Sequence, residues 1–202
     1  MESSHRFAVL ILAAGASRRM GRNKALLPWG RTTVLEHLQD LWSRAGATQL
    51  AVVFDPRQSA MVEELSRLPI AQGIPNPNAD EGMMASLRAA ADWSGWDSNL
   101  DFVIVALVDQ PQIPLSVVSD LVDLAASHPG SVTQPRSSNR RGHPIAIPWS
   151  AFSSIADSTS QNLREHLHQI DLPRHYLEVS DPADLEDMDT PEDYQRLRAR
   201  KD

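Results

Sequence analysis

Short apolar runs alternate with segments of helical periodicity along most of this chain. Predicted strands cover residues 7–12, 49–54, 101–109, 131–135, 143–148 and 176–179, and a further short strand lies around Ile70. Predicted helices cover residues 34–46, 61–68, 82–93, 114–126 and 160–170, and a last helix begins at Thr190. Because such alternation joins parallel strands through right-handed crossovers, the sequence predicts an α/β fold, a three-layer sandwich around a mainly parallel sheet.

The bulk composition is that of one globular unit. The chain has 202 residues, 42% of them hydrophobic, which favours a single domain over residues 1–202. No apolar run approaches the roughly 20 residues that a membrane span requires, so a cytoplasmic location without membrane contact is expected. Cysteine is absent, which excludes disulfides and thiolate–metal sites. The net charge of −7 argues against general nucleic-acid binding, but not against small anionic substrates.

The loop Leu12–Lys24 is the strongest sequence signal for a binding site. It follows the first strand directly, and its glycines allow backbone N–H groups to converge on phosphate oxygens. Its spacing is neither that of a P-loop nor that of a dinucleotide-binding fingerprint. Only Lys24 and Lys201 among the nineteen basic residues are lysines, and a compact ammonium suits point-charge contacts with phosphates. We therefore expect this loop to hold a triphosphate, with Arg19 and Lys24 as its cations.

Three further positions carry polar chemistry where site residues are expected. Asp109 ends the most hydrophobic strand, where a carboxylate suits Mg²⁺, although an aspartate close before Pro111 is also typical of turns. Ser86 lies near the start of a helix, where it contacts a base or ribose or is simply a surface serine. His143 follows a group of arginines, where it binds an anionic acceptor or only holds the start of a strand.

The acidic segment before the last helix has two interpretations. Thr190 and Pro191 are typical of a helix start, which explains most of the segment. Asp187 and Asp189 precede that start and are less well explained. They are therefore the residues of this segment that remain candidates for a binding site.

Five segments, in order along nearly the whole chain, resemble the MobA-like nucleotidyltransferase family. This family includes the molybdenum cofactor cytidylyltransferases and guanylyltransferases, and it is related to the sugar-nucleotide pyrophosphorylases. The segments that carry the resemblance are LAAGASRRMGRNK at 12–24, Asn76-Pro77 with GMMASL at 82–87, LVDQP at 107–111, RGHP at 141–144 and DMDTPED at 187–193.

The resemblance implies a Rossmann-like nucleotidyltransferase fold, that of the nucleotide-diphospho-sugar transferases, and an Mg²⁺-dependent reaction. In this reaction an acceptor phosphate attacks the α-phosphorus of a nucleoside triphosphate and pyrophosphate leaves, so catalysis is positioning and charge stabilisation. The implied catalytic residues are Arg19, Lys24 and Asp109, with Asp109 as the metal ligand. The implied substrate-binding residues are Leu12, Ala13, Ala14, Gly15, Asn76, Ser86, Arg141, His143 and Asp189. The resemblance also implies that the acidic segment returns to the active site, with Asp187 or Asp189 as a second metal ligand or an acceptor contact.

The resemblance also bears on the nucleotide and the acceptor. CTP is expected over GTP, because the loop reads LAAG as in the cytidylyltransferases, whereas the guanylyltransferases have LAGG, and the Ala14 methyl group narrows the pocket floor. The implied acceptor is molybdopterin or its molybdenum form, with a molybdoenzyme as a further partner.

Other interpretations stay open from the sequence. The same chemistry suits methylerythritol phosphate, a sugar phosphate or phospholactate as acceptor, and the segment Thr159–Arg164 departs from the family pattern on the acceptor side. A non-catalytic nucleotide-binding or cofactor-delivery module for a molybdoenzyme is the alternative of another class. The intact Lys24 and Asp109 speak against it.

Overall fold

The computed structural model describes residues 5–15, 19–68, 71–138 and 140–200. Their strands are β1 (Phe7–Leu12), β2 (Pro28–Trp29), β3 (Thr32–Thr33), β4 (Gln49–Phe54), β5 (Ala71–Pro75), β6 (Phe102–Leu107), β7 (Val132–Ser137), β8 (Arg140–Arg141), β9 (Ile145–Pro148) and β10 (Arg174–Glu178). Their helices are α1 (Val34–Arg44), α2 (Ser59–Arg67), α3 (Met83–Ala91), α4 (Leu115–Ser127), α5 (Trp149–Ser153), α6 (Leu163–Gln169) and α7 (Pro191–Arg198). None of these helices combines the length and the apolar character of a membrane span.

One twisted sheet organises the fold. Within the described ranges it has eight strands in the order β10-β7-β9-β6-β1-β4-β5, with β8 paired to β7. Strand β9 runs antiparallel to both of its neighbours, β6 and β7, whereas the other neighbours in this order are parallel. The predicted α/β fold with a mainly parallel sheet is confirmed. Strands β2 and β3 form a separate antiparallel hairpin.

Helices cover both faces of the sheet. In β1, the side chains of Phe7, Val9 and Ile11 enter one core, and their even-numbered neighbours enter the other. Helices α1, α2, α4 and α7 pack on the first core, and α3, α5 and α6 pack on the second. Because β1 is buried on both faces, its sequence is an unbroken apolar run rather than an alternating one. The predicted three-layer sandwich is confirmed.

Several predicted boundaries differ from the observed ones. Ile70, where a strand was expected, lies outside the described residues, and the nearby strand begins at Ala71. The helix predicted from residue 82 begins at Met83, because Gly82 adopts φ +94°, a left-handed backbone conformation. The β2–β3 hairpin, β8 and α5 were not predicted. That residues 1–202 form one domain stays a prediction.

The strand directions bring the sequence motifs to one edge of the sheet. Leu12 at the end of β1 pairs with Leu107 at the end of β6, and β4 and β5 end at the same edge. We call this edge the carboxyl edge. Because β9 is antiparallel to β6, its first residue, Ile145, lies there too, opposite Val105. The reversal of β9 thus carries the segment RGHP to the same edge as the loop after β1.

Candidate functional site

A cavity of 230 Å³ opens at the carboxyl edge, between the ends of β1 and β6 and the start of α3. We call it the loop cavity. Six of the residues that line it were predicted as site residues from the sequence. The lining residues are Leu12, Ala14, Gly15, Lys24, Ala79, Gly82, Met83, Ser86, Leu107, Val108 and Asp109.

Helix α3 directs its N-terminal end to the loop cavity. Gly82 and Met83 line the cavity at this end, and no side chain caps the helix. Unpaired N–H groups at a helix N-terminus favour anionic or polar ligand atoms. Ser86 adds a hydroxyl to the same wall, and this hydroxyl accepts a hydrogen bond of 3.0 Å from the Asn76 side-chain amide. Asn76 itself is buried behind Ser86, so it positions the serine and does not line the cavity.

The two alanines of the loop have different surroundings. The backbone N–H of Ala13 donates to the carbonyl of Val53 at 2.9 Å, and the Ala13 side chain packs in the core. The Ala13 N–H group is therefore used by the protein itself, and Ala13 as a substrate-binding residue stays a prediction. Ala14 is buried but lines the cavity, and Gly15 lines it next to Ala14. Residues 16–18 of the predicted loop lie outside the described residues.

Lys24 joins the loop to two distant carboxylates. A short 3₁₀ turn over Lys24–Leu26, capped by the Asn23 side chain, fixes its backbone. Its ammonium nitrogen lies 2.9 Å from Asp109 Oδ2 and 2.8 Å from Asp189 Oδ1. Burial lowers the pKa of Lys24, but the hydrogen bonds and charges of Asp189 and Asp109 outweigh burial, so its pKa is raised above 10.5. Arg19 donates to the other oxygen of Asp189 at 2.8 Å.

The C-terminal segment is attached to the residues that follow β6 by several hydrogen bonds, of which three are shorter than 3.0 Å. The Met188 N–H group donates to the Asp109 carbonyl at 2.8 Å. The Gln110 side chain donates to Asp187 Oδ1 at 2.9 Å, and the Gln112 side chain donates to the Glu186 carbonyl at 2.7 Å. These bonds place Asp187 and Asp189 beside Asp109. The sequence analysis did not single out the two glutamines, whose signal is their position on either side of Pro111, after the strand-ending aspartate.

The start of α7 accounts for the rest of the acidic segment. The Thr190 hydroxyl accepts from the Asp193 N–H group at 3.2 Å, and the Asp193 carboxylate accepts from the Thr190 N–H group at 3.0 Å. This reciprocal pair is a capping box. The predicted helix start at Thr190 and Pro191 is confirmed, which leaves only Asp187 and Asp189 of this segment turned toward the site.

The acidic residues offer oxygen atoms suited to a hard cation. In residues 5–15, 19–68, 71–138 and 140–200, no group of three or more acidic or histidine side chains is arranged as a metal site, and the Lys24 ammonium lies between two of the carboxylates. Asp109 Oδ1 is buried without a hydrogen-bond partner in these ranges. Burial, and then the charge of Asp109, raise the pKa of Asp187. A divalent cation at Asp109 would relieve both conditions, so the donor set fits Mg²⁺ or Mn²⁺.

Arg141 and His143 line a second cavity of 430 Å³ and not the loop cavity. His143 Nε2 is buried and has no hydrogen-bond partner in the described part of the chain. Burial lowers the pKa of His143 to about 4, against an opposing effect of the Asp109 charge, so its ring is neutral at pH 7. The site therefore has two compartments, with Asp109 close enough to influence both. Arg164 and Arg174 also line the second cavity, and the sequence analysis did not propose them as site residues.

Sequence comparison finds one family and several relatives that match most of this chain. Residues 9–175 match the MobA-like NTP transferase domain. A molybdenum cofactor guanylyltransferase of Mesorhizobium japonicum is 31% identical over 144 residues, which are 70% of this chain and 66% of that protein. The relative of the same name from Rhodobacter capsulatus is matched over 61% of its length. The chain thus spans slightly less than two thirds of these two relatives. One from Xanthomonas euvesicatoria pv. vesicatoria is 26% identical over 93% of this chain and 92% of its own length.

Solved structures share the whole fold. The crystal structure of Rv0371c from Mycobacterium tuberculosis H37Rv has a TM-score of 0.79 at 26% identity, covering 97% of this chain and 99% of that one. A structure of Rv0371c in complex with manganese has a TM-score of 0.73 at 25% identity, covering 96% and 98%. A nucleotidyl transferase from Methanothermobacter, at 22% identity, has a TM-score of 0.79 over 96% of this chain and 97% of its own. The predicted Rossmann-like nucleotidyltransferase fold is confirmed.

The comparisons differ from the sequence expectation in one detail. The relatives described above are named guanylyltransferases, whereas the LAAG loop favours a cytidylyltransferase. The family itself is confirmed by the domain match over residues 9–175 and by the fold. The chain belongs to the MobA-like NTP transferase family.

Proposed function

We propose that this protein transfers a nucleoside monophosphate from a nucleoside triphosphate to the phosphate of an acceptor and releases pyrophosphate. The observation that carries the proposal is the Lys24 ammonium, held by Asp109 and Asp189 in the wall of the loop cavity. A buried cation next to a helix N-terminus suits a triphosphate. A carboxylate with an unpartnered oxygen suits a divalent cation on that triphosphate.

The residues of the loop cavity define how a triphosphate binds. The phosphates lie against Gly15 and the start of α3, and Lys24 exchanges its carboxylate partners for phosphate oxygens. Arg19, which already faces Asp189, adds a second positive charge at the open side. The base and ribose lie toward Ser86 and Ala14. Because these groups are in place once the triphosphate has bound, they stabilise developing charge without further reorganisation during the transfer.

The transfer itself requires no side chain that acts as a general base. A phosphate oxygen of the acceptor forms a bond to the α-phosphorus, while the bond from the α-phosphorus to the oxygen that bridges to the β-phosphorus breaks. The electron pair of the broken bond leaves with pyrophosphate. A phosphate monoester has a second pKa of about 6, so the attacking oxygen already carries charge at pH 7. The neutral His143 is therefore assigned to binding the acceptor and not to removing a proton.

A divalent cation completes the proposed site. Asp109 would hold it, with Asp187 or Asp189 as a second ligand once Lys24 has moved to the phosphates. Such a cation would supply positive charge next to the phosphates and the leaving pyrophosphate. A manganese complex of the related Rv0371c supports a divalent metal, and Mg²⁺ is the ion that we propose for this chain.

The nucleotide substrate is either GTP or CTP, and a different observation supports each. The relatives named guanylyltransferase support GTP. Ala14, which lines the loop cavity where the guanylyltransferase loops have glycine, supports CTP. We keep CTP as the prediction, and it depends on this one side chain.

Molybdopterin is the proposed acceptor, since the relatives are named for the molybdenum cofactor. A molybdoenzyme that receives the product and a cytoplasmic location are parts of the same proposal.

Pyrophosphate release tests the proposal. The purified protein is incubated with Mg²⁺, one of the four nucleoside triphosphates, and either molybdopterin, methylerythritol phosphate, phospholactate or a sugar phosphate. Release that requires both a triphosphate and molybdopterin is the expected result. Release with another acceptor would keep the chemistry and replace molybdopterin. Triphosphate binding without release for any pair would support a non-catalytic nucleotide-binding module.

A further inference from the structure

Three arginines from three separate elements surround a cleft beside the transfer site, by which we mean the loop cavity and the neighbouring carboxylates of Asp109 and Asp187. Arg141 in β8, Arg164 in α6 and Arg174 in β10 all line the 430 Å³ cavity of His143, and all three also line an adjoining cavity of 560 Å³. We call the two cavities together the arginine cleft. Arg141 lines a third cavity together with Asp187, which places the cleft next to the carboxylates of the transfer site.

The arginine cleft carries a net positive charge. Within the described ranges, Arg141, Arg164 and Arg174 form no ion pair, and the Arg141 guanidinium lies 5.7 Å from the centre of the Tyr176 ring. One carboxylate, that of Glu165, also lines part of the cleft, so it offsets at most one of the three positive charges. Three like charges on one concave surface repel each other unless an anion lies between them.

The cleft also has a wall that suits the body of a small molecule. Ile145, Leu163 and Leu167 form its apolar side. The buried amide of Gln134 and the unpartnered Nε2 of His143 provide polar atoms next to that wall. Small-molecule sites commonly combine a mainly apolar lining with a few polar groups that fix orientation.

We infer that Arg141, Arg164 and Arg174 bind a second anionic group of the acceptor, one that is distinct from the phosphate that attacks the nucleotide. This inference rests on the proposed nucleotidyl transfer, because the cleft adjoins the site where the acceptor phosphate must lie. It specifies the acceptor class as a phosphate monoester whose body is flat or apolar on one side and anionic at another position. In molybdopterin, the dithiolate would be this second anionic group.

The test measures binding of molybdopterin without turnover. Anaerobic equilibrium dialysis compares the wild-type protein with Arg164→Gln/Arg174→Gln, which removes two guanidinium groups of the cleft. The matched control is Arg44→Gln/Arg67→Gln, which removes two exposed arginines from α1 and α2 and gives the same net charge. The cleft variant is expected to weaken binding at least about tenfold, because hydrogen bonds to charged groups are stronger than neutral ones. The control is expected to bind like the wild type.

Two further readouts separate charge recognition from a structural effect. Arg164→Lys/Arg174→Lys is expected to recover part of the affinity, and the difference between wild type and the Gln variant is expected to shrink as salt is raised. If the double Gln variant unfolds at lower urea than the wild type, the single Arg164→Gln, an exposed position on α6, replaces it.

The outcomes distinguish this inference from the proposed function. Equal molybdopterin affinity in the wild type and the cleft variant, or equal loss in the control, would overturn the arginine assignment. Absence of molybdopterin binding to the wild type would overturn it as well. Loss of binding in the cleft variant, in a protein that releases no pyrophosphate, would support the cleft and reject the nucleotidyl transfer.

Discussion

The Lys24 ammonium nitrogen lies 2.8 Å from Asp189 Oδ1, although 165 positions separate the two residues in the sequence. The same nitrogen contacts Asp109, so one ammonium is shared by two carboxylates of the kind that attract a divalent cation. We therefore expect Lys24 to compete with a divalent cation in the free protein. A triphosphate should remove this competition, because it offers the ammonium new anionic partners.

Replacing Lys24 with methionine is expected to raise the affinity of the nucleotide-free protein for Mn²⁺. Loss of the ammonium leaves Asp109 and Asp189 without their shared counter-charge, and the gain is expected to be at least about tenfold. Titration of Mn²⁺, followed by its electron paramagnetic resonance signal, measures the change. Arg44→Met is the control for the loss of one positive charge. Unchanged Mn²⁺ affinity in Lys24→Met would show that Lys24 and the metal do not share the carboxylates.

Asp109→Asn is expected to lower kcat/KM for nucleotidyl transfer by about 10²–10³, because a neutral amide is a poor ligand for a hard cation. Folding should be affected much less than activity, since Lys24 keeps Asp189 as a partner. Pyrophosphate release gives the first quantity, and urea unfolding gives the second. Asp120→Asn, on the exposed side of α4, controls for the loss of a carboxylate. Near-normal Mg²⁺-dependent activity in Asp109→Asn would reject the metal assignment.

Ala14→Gly is expected to shift the nucleotide preference from CTP toward GTP. The Ala14 methyl group lines the loop cavity, and its removal enlarges the floor on which the base lies. The shift should be incomplete, because a single methyl group in a pocket discriminates by only about 10–200-fold. The ratio of kcat/KM for CTP and GTP, in both proteins with molybdopterin, measures it. A wild-type protein that already prefers GTP, or a ratio that does not change, would remove Ala14 as the base selector.

His143 is expected to make the protein less stable as the pH falls below 6.5. The pKa of His143 is about 4 in the folded protein and 6.5 when it is unperturbed, so the unfolded chain binds more protons between these values. The free energy of unfolding therefore decreases from pH 7 to pH 5, by about 2 kcal/mol from this residue. His143→Gln, which cannot bind a proton, should lose less stability over this interval. Urea unfolding of both proteins at pH 7 and pH 5 makes the comparison, and parallel changes would contradict it.

The fold was largely predictable because its central strands are buried on both faces. Strands such as β1 and β6 must then be continuous apolar runs, and a run of this kind is visible without any knowledge of its neighbours. The capping box at Thr190 was predictable for a similar reason, since its partner Asp193 is three residues away. Signals that depend on local sequence alone were therefore reliable.

Contacts between residues that are far apart in the sequence could not be predicted in this way. The sequence indicates that Lys24 is unusual, but not that its partners are Asp109 and Asp189. Gln110 shows no local pattern, because its role is a hydrogen bond to Asp187, 77 positions later. Arg164 and Arg174 join Arg141 only through the order of the strands. These contacts are set by tertiary structure, which no spacing along the chain records.

The reversed strand β9 separates the part of the fold that is proposed to bind the nucleotide from the part that is proposed to bind the acceptor. The loop after β1 and the end of β6 belong to the parallel half of the sheet and carry the proposed triphosphate chemistry. The turn that leads into β9 contains Arg141 and His143. It approaches the carboxyl edge from the opposite direction and lines the second cavity, not the loop cavity. This turn pairs with β7 and not with β1, β4 or β5, so its length and composition are not fixed by the strands that carry the loop cavity. The architecture therefore allows a lineage to exchange one acceptor for another while it keeps the same nucleotide reaction.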